Sequence, residues 1–171
     1  EGAIPLWAGV ATKAQAAAAR TKLLSPTEFN TQLPFPTVAA SSPYYKPTGY
    51  WRGAVWMDQA YFALEGLKRY GYATDAQALA DSLQATAETL LPRFDSGFWS
   101  YYSLPKDEST LNYHTYVIQL LQKLGQRTGD TTWTDAATRF DDDLANPPEL
   151  DPGKVTPSLI KDMPYDTLRD F

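Results

Sequence analysis

Aromatic side chains, one guanidinium and one carboxylate lie close together in residues 50–59, which read Tyr-Trp-Arg-Gly-Ala-Val-Trp-Met-Asp-Gln. A sugar presents an apolar face of C–H bonds and a rim of hydroxyl groups. A site for it therefore combines a flat aromatic wall with polar donors and acceptors. The alternative is that both indoles are core anchors and that the guanidinium pairs locally with the carboxylate. The residues predicted to bind a sugar are Asn30, Tyr50, Trp51, Arg52, Trp56 and Asp58.

A second cluster of residues that could exchange protons follows downstream of residue 94. It contains the carboxylate of Asp95, the phenols of Tyr102 and Tyr113, and His114, the single histidine of the chain. An imidazole exchanges a proton near neutral pH, whereas a phenol with a pKa of ~10 needs a nearby cation to lower that pKa before it can do so. We predict these four side chains as candidate catalytic residues. The alternative for His114 is a capping or structural role.

Paired carboxylates, the usual machinery of glycoside hydrolysis, are not recognisable from spacing alone. The candidates are Asp58, Glu65, Asp95 and Glu108, and no two of them share a signature spacing. The acidic run 141–143 is expected to lie on a solvated helix face.

Composition limits the classes of function. The chain has 171 residues, 43% of them hydrophobic, a net charge of -5 and a pI of about 4.8, so we expect one globular domain with neither nucleic acid nor a membrane surface as its partner. The absence of cysteine and the single histidine predict no metal and no cofactor. Glu1-Gly2 does not begin a signal peptide, so we expect a processed or excised piece from either the periplasm or the cytoplasm.

Helical periodicity dominates the chain and predicts an all-α fold. Tight turns at 69–75 and 127–130 alternate with long aromatic loops, which is typical of an array of helical hairpins. We expect this domain to span residues 1–146 and an irregular tail to occupy 147–171, because Pro147-Pro148 breaks structure. Helices are predicted at 12–24, 54–70, 74–91, 109–127 and 131–144.

Three predicted helix faces bear on the position of the site residues. The first helix is expected to present a stripe of small residues, Ala14, Ala17, Ala18 and Thr21. The second is expected to bury Trp56, Ala60, Ala63, Leu64 and Leu67, and the fourth to bury Tyr113, Val117, Leu120, Leu121 and Leu124.

Residues 26–83 resemble the C-terminal part of glycoside hydrolase family 63, particularly its bacterial α-glucosidase-like members. The resemblance implies an (α/α)6 toroid, an inverting exo-acting α-glycosidase activity and an oligosaccharide or glucoside substrate. It also assigns Trp51, Arg52 and Trp56 to the sugar pocket. The catalytic acid of the family lies in an earlier repeat, and the Glu-Asn-Tyr-Asn-Pro-like segment expected to carry its base is absent. The matching residues are Phe29 to Thr31, Leu33-Pro34, Thr37 to Ser41, Tyr50 to Gly53, Val55-Trp56, Asp58-Gln59, Glu65 to Leu67 and Arg69 to Tyr72.

A second set of matching residues lies downstream, namely Phe94 to Ser100, Tyr102, Leu104, Tyr113-His114, Gln119-Leu120, Thr128 to Asp130 and Arg139. Through them residues 93–144 resemble the C-terminal domain of glucuronyl epimerases acting on heparosan-like polysaccharides. This resemblance implies that Tyr102 and Tyr113 exchange a proton with a uronate, which Arg52 or Arg93 would hold.

The two resemblances meet at a junction near residue 91. Five predicted helices cannot close a ring of twelve, so we expect a partial (α/α)6-toroid-like array. Such an array would be a piece completed by the remainder of a toroid, a homo-oligomer or an open stack of hairpins. An inert helical scaffold and a chimera are the non-catalytic alternatives.

Overall fold

The computed structural model describes residues 2–104 and 107–146 of the chain. Over these residues the protein is all-α, with three isolated β-bridges in place of strands, and the predicted all-α array of helical hairpins is confirmed. The chain divides into two compact units, Glu1–Ala87 and Glu88–Phe171. The predicted irregular tail, 147–171, lies outside the described residues.

Six α-helices are present in the described part of the chain, and a 3-10 turn at Leu91–Phe94 follows the fourth. Both predicted tight turns are found, one after Arg69 and the other after Thr128, and each contains a glycine with positive φ. None of the helices within these residues is long and apolar enough to cross a bilayer. The helices are α1 (Ile4–Ala8), α2 (Lys13–Leu23), α3 (Met57–Arg69), α4 (Ala73–Leu90), α5 (Leu111–Thr128) and α6 (Thr131–Ala145).

The core of the first unit gathers apolar residues from α1 to α4 and from the loop before α3. Helix α1, which sequence periodicity does not predict, packs against α3. Helix α2 begins at a capping box between Thr12 and Gln15 and buries Ala16 and Leu23. The predicted small-residue stripe of α2 is wrong, because its four members are all exposed. The buried core residues are Leu6, Leu23, Phe35, Ala60, Ala63, Leu67, Ala76, Leu79 and Leu83.

Helix α3 begins at Met57, three residues later than predicted. The preceding residues are held extended, because Val55 forms an antiparallel bridge with Pro36. Trp56 is the N-cap residue with φ -114° and ψ 126°, so it lies outside the buried stripe on which it was predicted.

In the second unit α5 packs against α6. Helix α6 buries Trp133, Ala136, Ala137 and Phe140, as its periodicity predicts. Of the face predicted for α5, Leu121 is buried as expected, whereas Tyr113 and Leu120 are exposed. The residues that α5 buries are His114, Ile118, Leu121 and Gly125.

Candidate functional site

The loop before α3 carries three aromatic rings in mutual contact, Tyr50, Trp51 and Trp56, which we call the aromatic platform. The two indoles are stacked with their planes 1° apart and their ring centroids 4.7 Å apart. Tyr50 meets both indoles edge-on, at 84°. Trp51 is 44% exposed and Tyr50 is exposed still more, so the platform presents an aromatic surface to solvent. The three side chains lie together, and their sugar-binding role stays a prediction.

Hydrogen bonds within the loop hold the platform. The indole N–H of Trp56 donates to the carbonyl of Tyr50 at 3.1 Å, which fixes the second indole relative to the first. The backbone N–H of Lys46 donates to the carbonyl of Arg52 at 2.6 Å. Gly53 permits this turn, since a Cβ at that position would lie 2.6 Å from the carbonyl oxygen of Lys46. The orientation of the platform is thus set by backbone contacts.

Thr37 ties this loop to the preceding chain and was not predicted as a site residue. Its hydroxyl accepts a hydrogen bond from the N–H of Gly53 at 3.0 Å, and its own N–H donates to the carbonyl of Ala54 at 3.2 Å. The signal in the sequence is indirect, namely a threonine directly after the Pro34-Phe35-Pro36 stretch.

Arg52 lies beside the platform in sequence and is exposed. Its guanidinium forms no ion pair with Asp58 or with any other carboxylate of the described residues. The carboxylate of Asp58 instead accepts hydrogen bonds from the backbone and the side chain of Gln59, at 2.8 and 3.3 Å. The alternative of a local pair between Arg52 and Asp58 is therefore not what the structure contains.

Asn30 was predicted to contribute to the same site from the preceding loop. It is half-buried, and its side-chain amide donates to the carbonyl of Leu24 at 3.5 Å. It makes no hydrogen bond to the aromatic platform in the described structure, and its sugar-binding role stays a prediction.

The four candidate catalytic residues belong to the second unit, where His114 is fully buried. Its Nδ1 lies 2.8 Å from Oγ of Ser100 and accepts the backbone N–H of Ser100 at 3.2 Å. Its Nε2 lies 2.8 Å from the carbonyl oxygen of Phe140, which can only accept, so Nε2 carries the proton. Trp99 stacks on the imidazole with ring centroids 3.6 Å apart. This environment favours the structural alternative for His114.

Burial lowers the pKa of His114 below its usual value, although the Phe140 carbonyl and the carboxylates of Asp143 and Asp141 oppose this shift. The close approach of Ser100 and His114 looks like a nucleophile with its base. However, Ser100 is 2% exposed and His114 is 0% exposed, so a substrate has no access to either group. The pair joins the loop before α5 to both helices of the hairpin.

Tyr102 and Tyr113 are exposed neighbours whose ring centroids are 4.9 Å apart. Asp95 lies elsewhere in the same loop and forms an ion pair with Arg139 of α6 at 3.1 Å. Its other oxygen accepts the N–H of Gly97 at 2.7 Å. The structure thus brings Tyr102 and Tyr113 together. His114 contacts Ser100 and Phe140, whereas Asp95 contacts Arg139 and Gly97.

Among residues 2–104 and 107–146, no group of three or more histidine, aspartate or glutamate side chains is arranged to hold a metal ion. Two arrangements of side chains in the described residues are suited to chemistry. The aromatic platform with Arg52 offers an apolar surface beside a positive charge, and the two tyrosines offer paired phenols.

Comparison with known proteins identifies a family that this chain matches. The mannosylglycerate hydrolase MGH1-like glycoside hydrolase domain matches residues 1–139. Mannosylglycerate hydrolase of Thermus thermophilus is 42% identical over 67 residues, which are 39% of this chain and 15% of that protein. Mannosylglycerate hydrolase MGH2 of Selaginella moellendorffii is 40% identical over 79 residues, covering 44% of this chain and 15% of that protein. The match thus spans about a seventh of the length of these relatives.

A solved structure of an uncharacterized conserved protein from Thermus thermophilus is also similar. It is 30% identical with a TM-score of 0.42, and the match covers 61% of this chain and 25% of that one.

The predicted resemblance to glycoside hydrolase family 63 is confirmed by the family match and by the two mannosylglycerate hydrolases. The family match runs to residue 139 and covers most of the segment that resembles glucuronyl epimerases, and that second resemblance stays a prediction. The chain belongs to the family of mannosylglycerate hydrolase MGH1-like glycoside hydrolase domains.

Proposed function

We propose that the chain supplies a sugar-binding wall of a glycoside hydrolase whose substrate is a small α-glycoside bearing a carboxylate. Mannosylglycerate, the compound that appears in the names of the relatives, is the reference compound. The observation that carries the proposal is the exposed indole of Trp51, stacked parallel on Trp56, next to an Arg52 guanidinium that has no carboxylate partner in the described chain.

The outer face of Trp51 suits the apolar face of a pyranose ring. Its inner face is covered by Trp56, so the indole is already oriented before a ligand arrives and loses little freedom on binding. Tyr50, edge-on to both indoles, adds a hydroxyl for the rim of the sugar.

Arg52 gives the proposed site its preference for an acidic ligand. A guanidinium binds a carboxylate through two parallel hydrogen bonds, which are about twice as strong as neutral ones. Since the Asp58 carboxylate is engaged with Gln59, Arg52 is available for a carboxylate of the ligand.

Hydrolysis with inversion needs an acid and a base carboxylate on opposite faces of the scissile bond, roughly 6.5–9.5 Å apart. In the proposed mechanism the aromatic platform holds the sugar ring and excludes water from one face. Turnover then requires carboxylates from outside this wall, with Asp58 as the candidate nearest to it in sequence. Binding by this chain is the part of the proposal that can be tested directly.

Isothermal titration of the folded chain with mannosylglycerate, methyl α-mannoside and glycerate provides the test. We expect mannosylglycerate to bind with the highest affinity and Trp51→Ala to weaken it about tenfold or more, because the aromatic face is lost. Tyr116→Ala removes an exposed aromatic ring outside the aromatic platform and should leave the affinity unchanged. A folded sample that gives no heat with millimolar sugar would reject the proposal.

Uronate epimerisation is the second candidate, and the contact of Tyr102 with Tyr113 supports it. In the proposed reaction one tyrosine, as the phenolate, would remove a proton from a uronate carbon, and the other phenol would return a proton to its opposite face. The two rings would have to separate from their 4.9 Å contact to admit the sugar. Arg93, in the same unit, is the cation proposed to hold the carboxylate. Deuterium uptake from heavy water into heparosan measures this reaction, and Tyr102→Phe or Tyr113→Phe should abolish it. Absence of exchange with the unaltered chain eliminates this candidate.

A further inference from the structure

The loop that carries the aromatic platform is joined to the preceding segment through Thr37. The N–H of Gly53 donates to the Thr37 hydroxyl at 3.0 Å, and the N–H of Thr37 donates to the Ala54 carbonyl at 3.2 Å. Pro36 and Val55 form an antiparallel bridge directly beside these bonds. The Thr37 side chain and the paired backbone of Pro36 and Val55 therefore hold the loop against the chain that precedes it.

The segment on the other side of this connection is held firmly. Phe35 has a φ of 68° although it is not glycine, and its side chain is buried in the core. Such a conformation persists only where the surroundings impose it. Here Phe35 donates its N–H to the Phe29 carbonyl at 2.8 Å and lies between the buried Pro34 and Pro36. Thr37 therefore follows directly after a segment whose backbone conformation is held by its contacts.

The hydroxyl of Thr37 meets an amide that has no access to bulk water, because Gly53 is buried. The hydrogen bonds of the loop itself, from Trp56 to Tyr50 and from Lys46 to Arg52, connect residues within the loop. They stabilise the internal shape of the loop. The loop is attached to the preceding segment by the hydrogen bonds of Thr37 and by the bridge between Pro36 and Val55.

We infer that Thr37 is a positioning residue of the sugar site. Its hydroxyl fixes Gly53, and through it the neighbouring Arg52 and the stacked indoles of Trp51 and Trp56. This inference rests on the proposed function in one respect only, namely that the aromatic platform binds a sugar. The positioning itself can be measured without a ligand.

Two stacked indoles in contact couple their electronic transitions, and a rotation between their in-plane axes about the stacking direction gives the far-ultraviolet circular dichroism spectrum a paired band. Trp56→Phe identifies this band, since it removes one partner of the pair. Thr37→Val replaces the hydroxyl by a methyl group of similar size, and Thr37→Ser retains the hydroxyl. Thr48→Val is the matched control, because Thr48 is an exposed threonine near the same loop.

We expect Thr37→Val to weaken the paired indole band and to lower the affinity for mannosylglycerate by about 3- to 10-fold, the equivalent of one lost hydrogen bond. Thr37→Ser should restore both readouts, and Thr48→Val should change neither. A Thr37→Val protein with an unchanged band overturns the inference, as does a Thr37→Ser protein that behaves like Thr37→Val.

Thr37→Ala is measured in the same way if the valine variant does not fold, and an unchanged band in that variant also overturns the inference. Failure of the unaltered chain to bind sugar rejects the proposed function, whereas the circular dichroism still decides whether Thr37 positions the indoles. The two failures are therefore distinguishable.

Discussion

Oγ of Ser100 lies 2.8 Å from Nδ1 of His114, and both side chains are buried. Because Nε2 of the same ring donates to the Phe140 carbonyl and Nδ1 accepts the backbone N–H of Ser100, the histidine is neutral and has both nitrogens in use. A protonated imidazole would place a second N–H against the backbone N–H of Ser100, which also points at Nδ1. Charging this histidine is therefore incompatible with its present contacts.

The stability of the chain should consequently depend on the protonation of His114. Its pKa in the folded state is lowered, chiefly by burial, whereas the unfolded chain has a pKa of about 6.5. Below that pH the unfolded state binds more protons than the folded one, so the free energy of unfolding falls. The contribution is fully present above the unfolded value and is lost as the pH falls toward the folded value. Urea unfolding at a series of pH values measures this.

His114→Gln isolates this effect from the titration of carboxylates, which both proteins share. The difference in unfolding free energy between the unaltered chain and the variant should shrink as the pH falls below the unfolded pKa. A difference that is independent of pH would contradict the assignment of a buried neutral histidine.

Gly125 is required by the close packing of α5 on α6. A Cβ at this position would lie 2.4 Å from Cγ2 of Thr134, so Gly125→Ala should lower the free energy of unfolding by about 1–3 kcal/mol. Thr134→Ser removes Cγ2 and keeps the hydroxyl that donates to the Thr131 carbonyl. In that background Gly125→Ala should be near neutral or stabilising by up to about 1 kcal/mol, because alanine is the better helix former. Equal costs in both backgrounds would show that this contact is not the cause.

The ion pair between Asp95 and Arg139 should contribute little to stability. The arginine side chain is 53% exposed, so we expect Asp95→Asn to change the free energy of unfolding by less than about 1 kcal/mol. Asparagine retains an oxygen for the Gly97 N–H, whereas Asp95→Ala loses it and should cost more. Thermal melts of both variants measure the difference.

Arg139→Gln removes the same ion pair and leaves the Asp95 carboxylate in place, so it separates catalysis from structure. If Asp95 has its predicted catalytic role, catalytic turnover is lost in Asp95→Asn and kept in Arg139→Gln. Equal activity in the two variants would remove Asp95 from the catalytic candidates.

Arg52 should determine the preference for an acidic ligand. Arg52→Gln is expected to weaken binding of mannosylglycerate by about 10- to 100-fold, since hydrogen bonds to charged groups are lost. Binding of methyl α-mannoside should change by less than about threefold, because the aromatic platform is intact. Lys13→Gln removes another exposed positive charge of the same unit and serves as the control for net charge. Parallel losses for both ligands in Arg52→Gln would argue against a carboxylate contact.

The sequence alone determines where most helices lie, because their ends carry local signals. Gly71 and Gly129 end two helices as predicted, and Asp130 caps α6 with its side chain. The buried face of α6 was predictable because apolar residues occupy a single side of that helix. The cluster of Tyr50, Trp51 and Trp56 was predictable for a similar reason, since residues so close in sequence must lie close in space.

Tertiary structure determined the buried helix faces and the side-chain contacts for which the local sequence pattern allowed two arrangements. Helix α5 has apolar residues on two sides, and the close approach at Gly125 selects the one that buries His114 and exposes Tyr113. The alanines of α2 are uniform, so no periodicity marks its buried side. Thr37 and Ser100 acquire their roles from partners 16 and 14 residues away, Gly53 and His114. A hydrogen bond across such a separation leaves no periodic trace in the sequence, and only the folded chain brings its two ends together.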